Sequence, residues 1–273
     1  MEQHTSKVET WDKVSESYLE EITDSEEEIG KQLADLIYRL CPDKKEISAI
    51  ELGAGSGHLS ALLAERGIQT TLLDFSEKAL ERAKKVYEEH GVEGDWICQD
   101  LFALDIHGAF DIVWNSGVME HFTDWELDRI IQNVRKLDAK YFILIVPNAE
   151  SLPYLLYRYH MEVKNAWIWG REFLRTDYVE RFEQAGFQMQ TCFYTGKKYT
   201  EYTLNEALKR KFPYSEWIEC HMAQQQNHSL VGFVFSYGEA GKDMFRPDRG
   251  EDSSVELKTK ILELRSRLDY AGD

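Results

Sequence analysis

Cysteine is scarce and scattered in this chain. The four residues, Cys41, Cys98, Cys192 and Cys220, stand far apart and show no paired metal-ligand spacing, so no metal is expected. Cys98 and Cys192 fall in apolar strand-like runs, where a cysteine serves as a small core residue. A reducing, cytoplasmic setting fits. Long apolar runs are missing too: none approaches the ~20 residues that span a bilayer, so no integral membrane association is expected. The opening stretch MEQHTSKVETWDKV is acidic and lacks an apolar centre, which argues against a signal peptide. Basic charge is the third deficit, with 32 Lys and Arg against 49 Asp and Glu and a formal net charge of −17. That balance argues against sequence-independent binding of nucleic acid, which needs basic surface, and against docking on anionic lipid. Small molecules or proteins are the expected partners.

What is present is ordinary globular composition, 43% apolar and 30% charged. Residues 25–40 open with Ser25 and Glu28 at capping-box spacing and continue with apolar residues at helical period. Strand-like runs follow at 46–52, 69–75, 95–101, 109–117 and 140–148. Helical stretches separate them, one capped by Ser76 and another opened by Thr123 and Glu126. This alternation predicts a parallel sheet with helices on both faces. The rhythm breaks at 149–175, which is rich in aromatics, and a helix led by Thr176 comes next. Two closing strands are expected within 187–238, with a polar insertion between them carrying a helix from Thr203. Residues 239–252 read as a linker by composition. Over 253–270, Leu257, Ile261, Leu264 and Leu268 form an apolar stripe. That stripe either pairs with another chain, as in a homodimer or with a protein partner, or docks on its own domain.

The run AIELGAGSGHLSALLAERG places Gly53, Gly55 and Gly57 between a strand and a helix, with Glu51 just ahead. A glycine-rich loop at a helix N-terminus lets a ligand approach bare backbone amides. A dinucleotide fingerprint needs a last glycine where His58 stands, so pyrophosphate fits poorly.

The acid followed by Gly-x-Gly-x-Gly resembles the first motif of the class I S-adenosylmethionine-dependent methyltransferases. The resemblance continues with Asp74, Asp100, the run FDIVWNSGVMEHF and the AGF at 185–187, and covers roughly residues 40–237. It implies an α/β fold: a doubly wound, Rossmann-like, seven-stranded, mostly parallel sheet with the last strand antiparallel and helices on both faces. Residues 1–238 would form one domain, with N-terminal cap helices at 8–40, a cofactor core at 46–148 and an acceptor-side insertion at 149–175. The resemblance implies S-adenosyl-L-methionine as cofactor and S-adenosyl-L-homocysteine as product. The Gly53, Ala54, Gly55 and Gly57 loop would cradle the methionine portion and Glu51 would serve its ammonium. Asp74, with Phe75, would take the ribose hydroxyls, Asp100 with Leu101 the adenine, and Asn115 would lie under the methionine chain. Trp11 and Tyr18 of the leading helix would cover the cofactor.

His121 is the sequence-local candidate for a general base. Tyr154, Tyr157, Trp167 and Trp169 are the expected acceptor wall, since these rings combine apolar faces with polar handles. The expected acceptor is a small soluble molecule, a sugar or saccharide hydroxyl ranking first. A lipid or quinone-type acceptor is the alternative within the enzyme class. An NAD-dependent dehydrogenase and a non-catalytic interaction scaffold are the readings from other classes.

Overall fold

The computed structural model describes residues 10–17, 21–106, 109–208 and 227–237. Tyr18, Cys220, the linker at 239–252 and the leucine stripe at 253–270 lie outside the described residues. Seven strands form one sheet: β1 (Ser48–Leu52), β2 (Gln69–Asp74), β3 (Asp95–Cys98), β4 (Ile112–Ser116), β5 (Tyr141–Pro147), β6 (Phe187–Thr195) and β7 (Leu230–Tyr237). Their order is β3-β2-β1-β4-β5-β7-β6. The first five run parallel, while β7 is antiparallel to both of its neighbours, β5 and β6. The fold expectation therefore holds. Central strands such as β5 are buried along almost their whole length, which is why they read as unbroken apolar runs.

Residues 10–15 form α1. It is followed by α2 (Asp24–Leu40), α3 (His58–Ala64), α4 (Glu77–His90), α5 (Asp124–Val134), α6 (Leu152–Val163), α7 (Val179–Gln184) and α8 (Lys197–Leu208). Leu33 and Ile37 of α2 and Leu63 of α3 pack with Ala49, Trp114 and Ile143 on one face of the sheet. Leu127 and Ile131 of α5 and Phe182 of α7 pack with Ile50, Val113 and Leu144 on the other. Among the described residues no helix is long and apolar enough to cross a membrane.

Several local expectations are corrected. The capping box of α2 is Thr23–Glu26: the Glu26 amide donates to Thr23 Oγ1 (3.2 Å) and the Thr23 amide to Glu26 Oε2 (2.7 Å). Glu28 instead accepts from the amides of Lys197 (3.2 Å) and Lys198 (2.7 Å), capping the start of α8 from a distance. That helix therefore begins before Thr203, whose hydroxyl donates back to the Thr200 carbonyl. Thr176 does not lead α7, whose first residue donates its amide to Asp177 Oδ1 (2.7 Å). Cys98 is exposed rather than core, because β3 is an edge strand; Cys192 is buried.

Candidate active site

Strand order reverses between β1 and β4, and in open parallel sheets ligands bind at the carboxyl ends beside such a point. The glycine loop sits there. Gly53, Gly55 and Gly57 all have left-handed backbone, with φ of 71°, 54° and 73°. The amides of Gly53 and Ala54 both donate to the Leu73 carbonyl (2.7 and 3.0 Å), tying the loop to β2. Asp74 braces it from below, accepting from the amides of Gly55 (3.0 Å) and Ser76 (2.9 Å).

The outer two glycines serve different ends. A Cβ on Gly53 would stand 2.8 Å from Val118 Cγ2, so this position keeps the approach from β4 open. A Cβ on Gly57 would stand 2.7 Å from Ala83 Cβ, inside the packing of α3 on α4. Gly57 is thus a packing glycine, and it is not among the residues lining the cavity described next.

A cavity of about 1000 Å³ opens over these strand ends. Glu51, Gly53, Ala54, Gly55, Asp74, Phe75, Asp100 and Leu101 line one side. Trp11, His121, Tyr154, Tyr157, Trp167 and Trp169 line the other. Asn115 does not line it. Its side chain is fully buried, and neither amide atom has a hydrogen-bond partner among the described residues. The leading helix is held over the opening by Ser76, whose hydroxyl donates to Asp12 Oδ1 (2.6 Å), and by Trp11, which packs edge-on against His121 (4.8 Å).

Buried carboxylates dominate the electrostatics. Glu51 is 4% exposed and accepts from Ser60 Oγ (2.6 Å), yet burial, with Asp74 nearby, pushes its pKa up to about 8. Burial also raises Asp74, against three backbone hydrogen bonds that favour its ionised form. On the far side, a single 3₁₀ turn after β4, Met119–His121, aims Glu120 and His121 inward. His121 Nδ1 donates to the Arg171 carbonyl (3.0 Å), which leaves Nε2 as the basic nitrogen of the neutral ring. Burial, followed by the charge of Glu172, holds the Glu120 carboxyl well above its ordinary range. Glu172 is raised to about 7, mainly by burial, while it accepts from Tyr154 Oη (2.5 Å) and Arg158 Nη1 (3.3 Å).

Glu120, His121 and Glu172 offer ligand atoms within 4.8 Å of one another, the one such group among the described residues that could hold a metal ion. Sequence reasoning missed Glu172, Tyr199 and Tyr202. Glu172 lies in an aperiodic loop with no signal, whereas the two tyrosines sit three apart on a helix and could have been read as one face.

Residues 49–139 match the family described as "Methyltransferase domain". The ribosomal RNA small subunit methyltransferase C of Citrobacter koseri is 32% identical over 133 residues, covering 46% of this chain and 37% of that protein. The chain thus spans little more than a third of this relative's length. Magnesium protoporphyrin IX methyltransferase from Synechocystis, solved with bound S-adenosylhomocysteine, superposes with a TM-score of 0.53 at 16% identity, over 80% of this chain and 89% of that one. By this similarity residues 49–139 form a methyltransferase domain, and the fold is one shared with S-adenosylmethionine-dependent methyltransferases of known structure. The fold alone does not dictate the chemistry of a member. The cyclase SpnF superposes nearly as well, with a TM-score of 0.51 at 18% identity, over 77% of this chain and 81% of that one.

Proposed function

We propose that this protein is an S-adenosylmethionine-dependent methyltransferase acting on a small molecule. One observation carries the reading: a left-handed glycine loop lies between two buried carboxylates, Glu51 and Asp74, at the head of a cavity that also contains His121. The donor set fits the cofactor. The burial of Glu51, which accepts from Ser60 Oγ, is repaid by a ligand ammonium. Asp74 takes the backbone amides of Gly55, Phe75 and Ser76, and its carboxylate keeps a further lone pair for a hydroxyl. Gly53, Ala54 and Gly55 would line the methionine portion, Phe75, Asp100 and Leu101 the nucleoside, and Trp11 would cover it. When bound, S-adenosylmethionine supplies a sulfonium-activated methyl group.

The protein's remaining task is to place a nucleophile in line and to exclude water. His121 Nε2 would take the nucleophile's proton where one must leave. At about 1000 Å³ the cavity stands at the upper end of ordinary ligand pockets, room for an acceptor beside a cofactor. The two relatives' names give ribosomal RNA and magnesium protoporphyrin IX as acceptors. The net charge of −17 speaks against the first for this chain. A saccharide has only the tyrosines and tryptophans of the wall in its favour, with no support from the relatives.

Calorimetry with S-adenosylmethionine, S-adenosylhomocysteine and NAD tests the reading, followed by a methyl-acceptor screen on the same preparation. Saturable binding of the first two and none of NAD is the expected result. NAD binding with no response to S-adenosylhomocysteine would overturn it.

A further inference from the structure

We propose that the acceptor side of the cavity recognises a cationic amine, held by the carboxylates of Glu120 and Glu172 behind a wall of Tyr154, Tyr157, Tyr199 and Tyr202. This rests on the methyltransferase reading and narrows it to a substrate class. Among the described residues seven carboxylates line the cavity, those of Asp24, Glu26, Glu51, Asp74, Asp100, Glu120 and Glu172, against one arginine, Arg171. The cations behind the floor are already engaged. Arg158 is divided between Glu162 (3.0 Å) and Glu172 (3.3 Å), and Arg175 is held by Asp124 and by the Phe122 carbonyl, both at 2.7 Å. Glu120 is 2% exposed and its Oε2 has no hydrogen-bond partner among the described residues. The His121 ring stays 3.9 Å away.

A buried carboxylate with one oxygen left unpartnered is costly in its ionised form, so it holds a proton until a cation arrives. An ammonium repays that cost and a neutral hydroxyl does not. The rings supply the second half of the recognition. Tyr157 and Tyr202 meet at 5.9 Å, and Tyr199 stacks on Tyr202 at 6.5 Å. Aromatic faces attract ammonium groups and tolerate added methyls. Tyr154, the most buried of the four, already spends its hydroxyl proton on Glu172, so it offers a sugar little.

The chemistry balances. The ammonium gives one proton to His121 Nε2, and the lone pair so exposed forms the new N–C bond. The electron pair of the broken C–S bond stays on sulfur, and the product is a methylated ammonium.

The test is calorimetric titration of the full chain with choline and with its uncharged carbon isostere, dimethylbutanol, each with and without S-adenosylhomocysteine. Choline is expected to bind at least ~10-fold more tightly than the isostere. Run in two buffers of different ionisation enthalpy, its binding should release protons. The release would come from Glu120, which faces Glu172, His121, Arg175, Tyr178 and Tyr199. Glu120→Gln should abolish that release and the preference for choline while S-adenosylhomocysteine still binds. Because a buried variant can misfold, Tyr202→Ala on the half-exposed face of α8 serves as a second probe, with choline binding weakened ~3-fold.

Equal binding of choline and dimethylbutanol overturns the proposal. So does binding of Mn²⁺ alone that Glu120→Gln and His121→Ala remove and choline does not displace, for the floor is then a metal site. Failure of S-adenosylhomocysteine to bind, with the choline preference intact, counts against the cofactor reading alone.

Discussion

Replacing Glu51 by glutamine should change how the stability of the ligand-free protein depends on pH. The carboxyl is buried at the end of β1, and burial raises its pKa from 4.5 to about 8. In the unfolded chain it ionises near 4.5, so between these values the folded state binds a proton that the unfolded state has lost. The sign follows: the stabilisation is complete below the unfolded pKa and disappears as pH rises through about 8. Each pH unit inside the window removes ~1.4 kcal/mol, so raising pH from 5.5 to 7.5 should cost ~3 kcal/mol through this residue alone. For a chain of this size that is ~6–12 °C in melting temperature.

Glu51→Gln keeps the shape and still accepts from Ser60, but it does not titrate. Subtracting its melting curve from that of the wild-type chain cancels the other raised carboxyls, Asp74, Glu120 and Glu172. The difference should fall steadily between pH 5 and 8 and then level off. S-adenosylhomocysteine should flatten it, because a ligand ammonium holds Glu51 ionised. A difference that stays constant across the window would refute the reasoning, since Glu51 would then have to be ionised or solvated in the ligand-free fold.

Three further changes test the site. Gly53→Ala forces left-handed backbone on alanine and sets its Cβ against Val118, so it should lower stability by ~1–3 kcal/mol. Adding Val118→Ala should relieve only the steric part, as thermal melts of the single and double variants would reveal. Asp74→Ala should lower S-adenosylhomocysteine affinity at least ~10-fold by calorimetry. It should also lower the melting temperature, because Asp74 braces the loop through the Gly55 and Ser76 amides; an unchanged affinity in a folded variant removes it from the site. His121→Ala should slow the single-turnover chemical step by ~10²-fold, and an unchanged step would show that it is not a base.

The strands were legible because a parallel sheet covered on both faces writes itself as continuous apolar runs, and all seven appear within a few residues of their expected bounds. Caps were less so. Thr23–Glu26 and Ser25–Glu28 have the same spacing, and only the amides of Lys197 and Lys198, some 170 residues away, remove Glu28 from local service. The glycines behave similarly. Gly53 and Gly57 are indistinguishable by type and by φ, but one faces Val118 at the cavity and the other faces Ala83 between helices. Asn115 sits at a strand end, as expected, yet its side chain turns into the sheet's packing instead of the crevice.

This difference separates the two halves of the cavity. Its cofactor side is made by the ends of adjacent parallel strands, and each strand end follows its predecessor after one helix of restricted length. Glu51, Asp74 and Asp100 therefore recur at spacings that the topology itself enforces. The acceptor side obeys no such rule. It is assembled from α1, the segment around Tyr154 to Glu172, and α8, which converge from separate parts of the chain and meet at no fixed spacing. Tyr154 and Glu172 are joined by one hydrogen bond across 18 residues of helix and loop, and Glu120 comes to the same cavity from the turn that follows β4. A chain can change these residues without disturbing the sheet, because none of them sits in a strand. On the proposed acceptor side, residue type alone pointed to Tyr154, Tyr157, Trp167 and Trp169, and the three-dimensional arrangement was needed to add Glu172, Tyr199 and Tyr202.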